Sequence, residues 1–218
     1  MVTGHFQEFE DEYLETLYSF HEKNPGSRVR TGELSKYLGV SPASATEMVQ
    51  RLAKNGFVDY LPYKGSLLTE NGLEHGMMMK RRHRLAEVLL TMLPFEGDVH
   101  ETACRLEHAF NDDLEICVSQ LLGNPTHDPS GSEIPPPHSR IMEQIEYKTK
   151  LSTLEEMAVS ESGEVILIMT TSKAREILVN TGIRIGSIIE KQESGLSCDG
   201  DFLAISSELA KRIVLRCD

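Results

Sequence analysis

Apolar residues near the N-terminus recur at the three- and four-residue steps of amphipathic helices. This spacing predicts a helix from about Phe6 to Glu22, which Asn24-Pro25-Gly26 ends. A short helix is predicted at Thr31–Leu38. Another begins after a tight turn, where Ser41 is suited to cap it and Pro42 to occupy its first turn.

Beyond Gly56, strand-like runs replace the helical spacing. Phe57–Pro62 and Ser66–Thr69 are separated by Tyr63-Lys64-Gly65, a segment typical of a hairpin turn. Helix, short helix, tight turn, helix and β-hairpin in this order predict a winged helix-turn-helix.

The middle of the chain again shows helical spacing. One helix is predicted from about Glu70 to Leu93, and a second begins at Asp98, with Glu101 completing a capping box, and continues to about Leu122. The next stretch, Gly123–Arg140, holds five prolines and two glycines and is predicted to be an extended connector.

The last third of the chain changes to strand signals after a helical-looking stretch at Ile141–Lys150. We expect a short helix at Ser172–Asn180 and several short strands, which suggest a small β-barrel. The clearest strand signals are Val165–Met169, Ser187–Lys191, Phe202–Ile205 and Ile213–Arg216. The predicted fold class is therefore mainly α with small β, arranged as a winged helix-turn-helix, an all-α domain and a C-terminal β-barrel.

Length and composition describe an ordinary globular protein. The 218 residues suffice for one large domain or two to three small ones. Four dispersed cysteines form no Cys-x-x-Cys pair, which favours a reducing cytoplasm over a disulfide scaffold. No apolar run reaches about 20 residues, and the polar N-terminus lacks a secretory pattern, so we expect a cytoplasmic protein without membrane contact.

The net charge of −12 conceals an asymmetry that bears on nucleic-acid binding. Between Lys23 and Arg84, eleven positive and five negative residues give a local charge of +6, so the remainder carries −18. A basic module around a predicted winged helix-turn-helix favours DNA as a partner. A solvated charge distribution without a partner is the alternative.

The stretch from His100 to Asn111 carries an unusual set of side chains. At about 100° per residue, a continuous helix would place His100, Cys104, Glu107, His108 and Asn111 within one arc of about 100°. A half-buried histidine is ordinarily just a hydrogen-bonded side chain. Two imidazoles, a thiol and a carboxylate in register are much more typical of a transition-metal site.

Two other predicted helices add ligand-type residues. His83 and Glu87 stand four residues apart on one helix, and Glu12 and Glu15, three residues apart, share a face of the first helix. Packing of these three helices would bring about seven such side chains together. Because the sequence lacks a His-Glu-x-x-His motif, a Gly-rich phosphate loop and a nucleophile elbow, we expect no enzyme and no small-molecule substrate.

Several blocks, in the correct order, resemble the diphtheria toxin repressor/manganese transport regulator family. They are EYLETLY (Glu12–Tyr18), SPASATEMVQRLAKNGFV (Ser41–Val58), KRRHRLAEVLL (Lys80–Leu90), VHETACRLEH (Val99–His108) and DPSGSEIPP (Asp128–Pro136). IRIGS (Ile183–Ser187) resembles the SH3-like third domain of the iron-type members. The resemblance implies a metal-dependent transcriptional repressor that binds palindromic operators of metal-uptake and homeostasis genes.

The resemblance also implies two metal sites and four segments. Glu12, Cys104, Glu107 and His108 match the primary site. His83, Glu87 and His100 match the ancillary site, and Glu15 matches a further manganese-type ligand. The expected segments are a winged helix-turn-helix at 1–70, a helical dimerisation and metal-binding domain at 71–140, a linker at 141–150 and an SH3-like, FeoA-like domain at 151–218.

The expected metal is Fe²⁺, although the ligand set departs from the iron-type pattern. Glu12 stands where iron-type members have methionine, which favours Mn²⁺, whereas Cys104 stands where manganese-type members have glutamate. A soft thiolate disfavours Mn²⁺, so we weight Cys104 more heavily. Mn²⁺ is the alternative metal, and Zn²⁺, Co²⁺ or Ni²⁺ are expected to substitute in vitro. Thiol redox sensing through Cys104 is an alternative function.

The expected partners are a double-stranded DNA operator and a second copy of the chain. An apolar stripe, Leu85, Val88, Leu89 and Met92, is the candidate dimer interface, with monomer core as the alternative. Small residues at the start of the recognition helix suit close approach to bases, whereas basic residues suit phosphates. The expected DNA-binding residues are Arg28, Ser41, Pro42, Ala43, Ser44, Glu47, Arg51, Lys54 and Lys64.

Overall fold

The computed structural model describes residues 4–145, 150–170 and 177–217, without the side chains of residues 4–7, 143, 145 and 150. These residues form two compact units. One comprises the chain up to Thr91 together with Phe95–Phe110 and Thr126–Ser139. The other comprises Met92–Pro94, Asn111–Pro125 and the chain from Arg140 onward.

The first unit begins with the predicted helices α1 (Gly4–Lys23), α2 (Thr31–Leu38) and α3 (Pro42–Lys54). The tight turn between α2 and α3 depends on Gly39, whose φ of 67° is in the left-handed region that suits glycine. The Ser41 hydroxyl then caps α3 by accepting a hydrogen bond from the Ser44 amide at 3.1 Å.

The predicted hairpin is formed by β1 (Val58–Leu61) and β2 (Gly65–Leu68), which pair antiparallel. A third segment joins it through Val29, whose backbone pairs with Ser66. Gly65 is necessary here, since its φ is +102° and an added Cβ would lie 2.4 Å from the Val29 carbonyl oxygen. The prediction of a winged helix-turn-helix is confirmed.

One apolar core holds these elements together. Its buried members come from all three helices and from the hairpin, and they are Tyr13, Leu14, Leu17, Val29, Leu34, Ala45, Val49, Leu52, Val58 and Leu68. Because Leu14 and Leu17 belong to α1, the first helix is an integral part of the winged helix-turn-helix.

The long helix α4 (Glu70–Met92) packs very closely against α1. An added Cβ at Gly76 would lie 2.6 Å from the Leu14 carbonyl oxygen, and one at Gly72 would lie 2.0 Å from that of Phe57. The two glycines stand one helical turn apart and so line the same face of α4. Their lack of side chains allows α4 to touch backbone atoms of the winged helix-turn-helix.

The helix predicted from Asp98 to Leu122 is wrong as a continuous element. Helix α5 (Val99–Leu106) is followed by a 3₁₀ turn, Glu107–Ala109, and then by α6 (Asp112–Leu121). The chain breaks because Phe110 is extended and the Asn111 side chain caps α6, accepting from the Leu114 amide at 2.8 Å. Asn111 therefore leaves the predicted metal-binding face.

The Pro/Gly-rich connector runs without helix from 123 to 138, as predicted. Buried arginines of α4 anchor it: Arg81 donates to the Pro135 carbonyl at 2.8 Å, and Arg84 donates to that of Glu133 at 2.5 Å. Of the candidate dimer stripe, Leu85 is fully buried within its own chain, whereas Met92 is 45% exposed. Leu85 is thus a monomer core residue.

After α7 (Ser139–Ile145), the second unit contains a six-stranded antiparallel sheet and a short helix, α8 (Ser207–Ala210). The strand order is β3-β8-β4-β5-β6-β7. The strands are β3 (Lys150–Thr153), β4 (Ser162–Ile168), β5 (Ile188–Gln192), β6 (Gly195–Cys198), β7 (Asp201–Leu203) and β8 (Ile213–Cys217). The sheet is consistent with an SH3-like domain.

Two details of the second unit differ from the prediction. In the described residues β3 and β7 do not pair, so the sheet is open and the predicted small β-barrel does not close. The sequence did not predict β3 or β6, because each is a four-residue strand with little apolar content. Residues 177–180 are helical. Residues 172–176 of the predicted helix Ser172–Asn180, and residues 146–149 of the predicted helical stretch Ile141–Lys150, lie outside the described residues.

Candidate metal centre

A cleft of about 490 Å³ opens inside the first unit, between α1, α2, α4, α5 and the 3₁₀ turn. Its walls carry most of the predicted ligands together with Lys80 of α4. The ligand-type residues that line it are Glu8, Glu12, Glu15, His100, Cys104, Glu107 and His108. The cleft thus brings together ligand-type side chains of α1, α5 and the 3₁₀ turn.

His83 lies at the centre of the group and is almost completely buried. Its Nδ1 atom is 2.6 Å from Glu107 Oε2, and its Nε2 atom is 3.3 Å from Glu87 Oε1. Each ring nitrogen thus faces a carboxylate, one on its own helix and one on the 3₁₀ turn.

His100 and Cys104 extend this group toward solvent. Glu87 Oε1 is 3.2 Å from His100 Nδ1, and His100 Nε2 is 4.0 Å from Cys104 Sγ. One ligand atom each from His83, His100 and Cys104 lies within 4.8 Å of the others. The three predicted ancillary ligands therefore do converge, and Cys104 joins them.

A second set of ligand atoms shares His83. One atom each from Glu15, His83 and Glu107 lies within 4.8 Å of the others, and all three residues are largely inaccessible to solvent. Glu15 also accepts a hydrogen bond from Lys80 Nζ at 2.9 Å. The ammonium group is the local cation that balances this carboxylate.

The remaining predicted ligands lie beside these two sets. His108 Nε2 is 3.6 Å from Glu107 Oε1, and His108 Nδ1 is 3.5 Å from Asp11 Oδ2. Glu12 lines the same cleft but is exposed. The structure places Glu107 next to both His83 and His108, so it connects the predicted primary and ancillary groups.

The electrostatics of His83 and Glu87 follow from their mutual contacts. Burial alone would lower the pKa of His83, but hydrogen bonds with Cys104, Glu107 and Glu87 outweigh it and raise the pKa to about 12. Burial would raise the pKa of Glu87, yet its hydrogen bonds with His83 and His100 lower it to about 2. Glu87 is therefore a carboxylate whose negative charge is already paired.

Two other carboxylates, Glu107 and Glu12, are affected in the opposite direction to Glu87. Burial raises the pKa of Glu107, and burial together with the nearby Glu15 raises the pKa of Glu12. Crowded, partly dehydrated carboxylates are costly unless a cation is near. Imidazole, thiol and carboxylate together form a donor set suited to Fe²⁺, Co²⁺ or Zn²⁺, so the residues present fit a divalent transition metal.

Sequence reasoning missed three residues that the structure places at this site. Asp11 and His75 are in contact at 2.6 Å next to His108, and Lys80 pairs with Glu15. Asp11 and Glu15 are one helical turn apart, which was an available signal. The pairing of α1 with α4, more than 60 residues away, required the tertiary structure.

The predicted DNA-reading surface is exposed at the start of α3. Ser41 and Ser44 lie there, with their hydroxyl oxygens 2.8 Å apart, and the neighbouring exposed members are Pro42, Ala43 and Glu47. Lys54 and Lys64 are also exposed. This arrangement leaves small side chains at the helix N-terminus and lysines at its end and on the hairpin.

The two expected phosphate-binding arginines already have partners in the protein. Arg28 binds the Asp59 carboxylate and donates to the Asp59 carbonyl at 2.8 Å. Arg51 is 2.6 Å from Glu10 of α1. These pairs connect the hairpin and α3 with neighbouring segments.

Two models of known sequence families match consecutive stretches of this chain. The sequence model described as the iron dependent repressor N-terminal DNA binding domain matches residues 5–66. The model described as the iron dependent repressor metal binding and dimerisation domain matches residues 69–136. The chain belongs to the iron-dependent repressor family.

Individual relatives agree with this membership. An uncharacterised HTH-type transcriptional regulator of Methanocaldococcus jannaschii is 36% identical over 106 residues, which cover 48% of this chain and 84% of the relative. The iron-dependent repressor IdeR of Mycobacterium tuberculosis is 34% identical over 126 residues, 56% of this chain and 54% of IdeR. The chain thus spans about half the length of that repressor.

Solved structures of the same fold include a manganese-dependent transcriptional repressor in complex with manganese. Its TM-score is 0.53 at 24% identity, over 95% of this chain and 99% of that one. ScaR with bound Zn²⁺ has a TM-score of 0.50 at 28% identity, over 94% and 98%. Among the residues that the structure describes, no helix combines the length and apolarity needed to cross a bilayer.

Proposed function

We propose that this member of the iron-dependent repressor family is a cytoplasmic homodimer activated by Fe²⁺ to bind palindromic operators of metal-uptake and homeostasis genes. The observation that carries the proposal is the convergence of ligand atoms from α1, α4 and α5 around the buried His83–Glu107 pair. The role is regulatory rather than enzymatic.

The residues that would hold the metal are Glu12, Cys104, Glu107 and His108 for activation, with His83, Glu87 and His100 as the ancillary group and Glu15 as a further ligand. When bound, a divalent cation supplies positive charge that compensates the crowded carboxylates. The proposed domain organisation is a winged helix-turn-helix at 1–70 and a helical dimerisation and metal-binding domain at 71–140. A linker at 141–150 and an SH3-like domain at 151–218 follow.

The position of α1 explains how this site would control DNA binding. Glu12 and Glu15 project from the same helix that contributes Leu14 and Leu17 to the winged helix-turn-helix core. Any change in how α1 is held against α4 and α5 therefore moves the reading module. A tenfold shift between inactive and active states requires about 1.4 kcal/mol of differential metal binding.

Cys104 supports Fe²⁺ over Mn²⁺ as the activating metal. Its sulfur lies beside two imidazoles, and a thiolate–imidazole set prefers iron or a later metal to manganese. The carboxylates Glu12 and Glu15 favour Mn²⁺ instead, so Mn²⁺ is the competing assignment.

DNA binding is assigned to the exposed N-terminal turn of α3 and to the basic surface near it. Ser41 through Ser44 and Glu47 would approach the base edges, whereas Lys54 and Lys64 would contact phosphates. Arg28 and Arg51 would also contact phosphates, although each is already paired with a carboxylate of the protein. Two copies related by a two-fold axis would read half-sites one or more helical turns apart.

An anaerobic mobility-shift experiment tests the proposal. With a palindromic duplex pool, Fe²⁺ should produce a shift that a chelator reverses, and peroxide in the presence of chelator should have no effect. His108→Ala should abolish the metal-dependent shift while circular dichroism and the dimer mass stay unchanged, and His138→Ala, away from the cleft, should behave like the parent chain. A shift that responds to peroxide and ignores chelator would instead establish thiol sensing through Cys104.

A further inference from the structure

Asp11, a residue of α1 next to Glu12, makes contact with two histidines. Its Oδ1 atom is 2.6 Å from His75 Nε2 on α4, and its Oδ2 atom is 3.5 Å from His108 Nδ1 on the 3₁₀ turn. All three side chains are partly buried inside the first unit. The carboxylate therefore stands behind His108 on the side opposite to Glu107.

The His108 ring has a defined direction as a result. Its Nδ1 atom is turned toward Asp11, whereas its Nε2 atom faces Glu107 Oε1 at 3.6 Å. Histidines that bind metals usually donate their other ring N–H to a carboxylate or carbonyl, which fixes the tautomer and the ring orientation. Asp11 is in the position of that acceptor.

His108 needs such support because its backbone provides little. It lies in a single 3₁₀ turn, immediately before the extended Phe110, where the helix has already ended. Its Nδ1 atom is buried, and within the described residues it has no hydrogen-bond partner at normal distance. The Asp11 oxygen at 3.5 Å is the group placed to accept its proton once the site tightens.

His75 in turn fixes Asp11. It is anchored on α4, and its ring lies 5.5 Å from that of Phe57 at an interplanar angle of 55°. The 2.6 Å contact with Asp11 is short and partly buried, so the carboxylate is held in one orientation.

We propose that Asp11 and His75 are positioning residues which orient His108 so that its Nε2 atom faces the metal centre. This inference rests on the proposed function, since it concerns the same site. The competing explanation is an ordinary ion pair that only fastens α1 to α4. A merely structural pair would affect the stability of the protein but not the affinity or the spectrum of the bound metal.

Two variants of the full-length chain separate these explanations, with Co²⁺ as the probe under anaerobic conditions. Asp11→Asn removes the acceptor and one negative charge. His75→Gln leaves the charge of Asp11 in place and tests positioning alone. His138→Gln is the matched control, because His138 also pairs with a carboxylate of α4, Glu74, at 3.6 Å, outside the cleft.

We expect Asp11→Asn to weaken Co²⁺ binding by about 10- to 100-fold, the usual effect of losing such a partner. His75→Gln should weaken binding less, in the same direction, and His138→Gln should bind like the parent. In the Co²⁺-loaded parent, proton NMR should show a hyperfine-shifted ring N–H that exchanges slowly with water and disappears in His108→Ala. This signal should broaden or vanish in both positioning variants.

Unchanged Co²⁺ affinity and an unchanged N–H signal in His75→Gln would overturn the inference, and so would parent-like results for Asp11→Asn. If Asp11→Asn does not fold, His75→Gln decides the question by the same two readouts. If the parent chain binds no Co²⁺, the proposed function itself is refuted. If the parent and both variants bind Co²⁺ equally well, only the positioning role of Asp11 and His75 is refuted.

Discussion

At the scale of single residues, the site is organised around His83 and Glu107. They form a buried contact of 2.6 Å, and ligand atoms of Glu15, His100 and Cys104 lie within 4.8 Å of a ligand atom of His83. The residue types were readable from the sequence, because His, Cys and Glu at helical spacing predict a metal site. Their partners were not, because the contact between Glu107 and His83 joins residues 24 positions apart on different elements and requires the tertiary structure.

The thiol of Cys104 provides the prediction at this scale. Cys104→Ser should weaken Fe²⁺ and Co²⁺ binding by on the order of tenfold, about 1.4 kcal/mol, because a hydroxyl is a much poorer ligand for these metals than a thiolate. Mn²⁺ binding should change less. Anaerobic competition titrations measure both affinities, with the exposed Cys117→Ser as the control.

Equal losses for all three metals in Cys104→Ser would show that the thiol does not select the metal. A loss in Cys117→Ser of the same size would show that the effect is general rather than local to the cleft.

At the scale of elements, the contact between α1 and α4 and the end of α5 determine the shape of the centre. The caps Ser41 and Asp98 were correctly predicted, since each is a local signal followed by helical spacing. The break at Phe110 was missed because the apolar period continues through it. Asn111 was available as a second cap signal, but the helical pattern on both sides masked it.

The glycine at the α1–α4 contact gives a prediction for the elements. Gly76→Ala places a Cβ 2.6 Å from the Leu14 carbonyl oxygen and should cost about 1–3 kcal/mol of unfolding free energy as the two helices move apart. Because Glu12 and Glu15 move with α1, metal affinity should fall as well. Chemical denaturation and metal titration measure the two effects.

Gly32→Ala is the matched control within α2, where an added Cβ meets nothing within 4 Å. It should leave metal binding unchanged and stabilise the protein by up to about 1 kcal/mol, since alanine has the higher helix propensity. If Gly76→Ala proved as stable as the parent and bound metal normally, the close packing of α1 on α4 would not be needed for the site.

At the scale of the whole molecule, a basic reading module belongs to an otherwise acidic chain. The sequence was sufficient for the winged helix-turn-helix, the mainly helical middle region and a C-terminal region of short strands, because each follows from local periodicity. It was not sufficient for the closure of that sheet. Closure depends on pairing between β3 and β7, which are far apart in the chain and carry no pattern that specifies partners.

The salt dependence of DNA binding tests the charge argument. Lys64→Ala, in the exposed hairpin turn, should weaken binding to all duplexes to a similar extent and lower the slope of log K against log salt by about 1. Lys211→Ala, an exposed lysine of the second unit, is the control and should leave the slope unchanged. A change confined to one duplex sequence would mean that Lys64 reads bases rather than phosphates.

The central claim is that one divalent cation joins α1 to the α5 region through Cys104, Glu107, His108 and the Glu12 carboxylate. Anomalous diffraction at the iron edge, from crystals grown anaerobically and soaked in ferrous salt, tests it directly. A strong peak should appear in the cleft within bonding distance of these four side chains. A cleft without a peak, with the four side chains still apart, would contradict it.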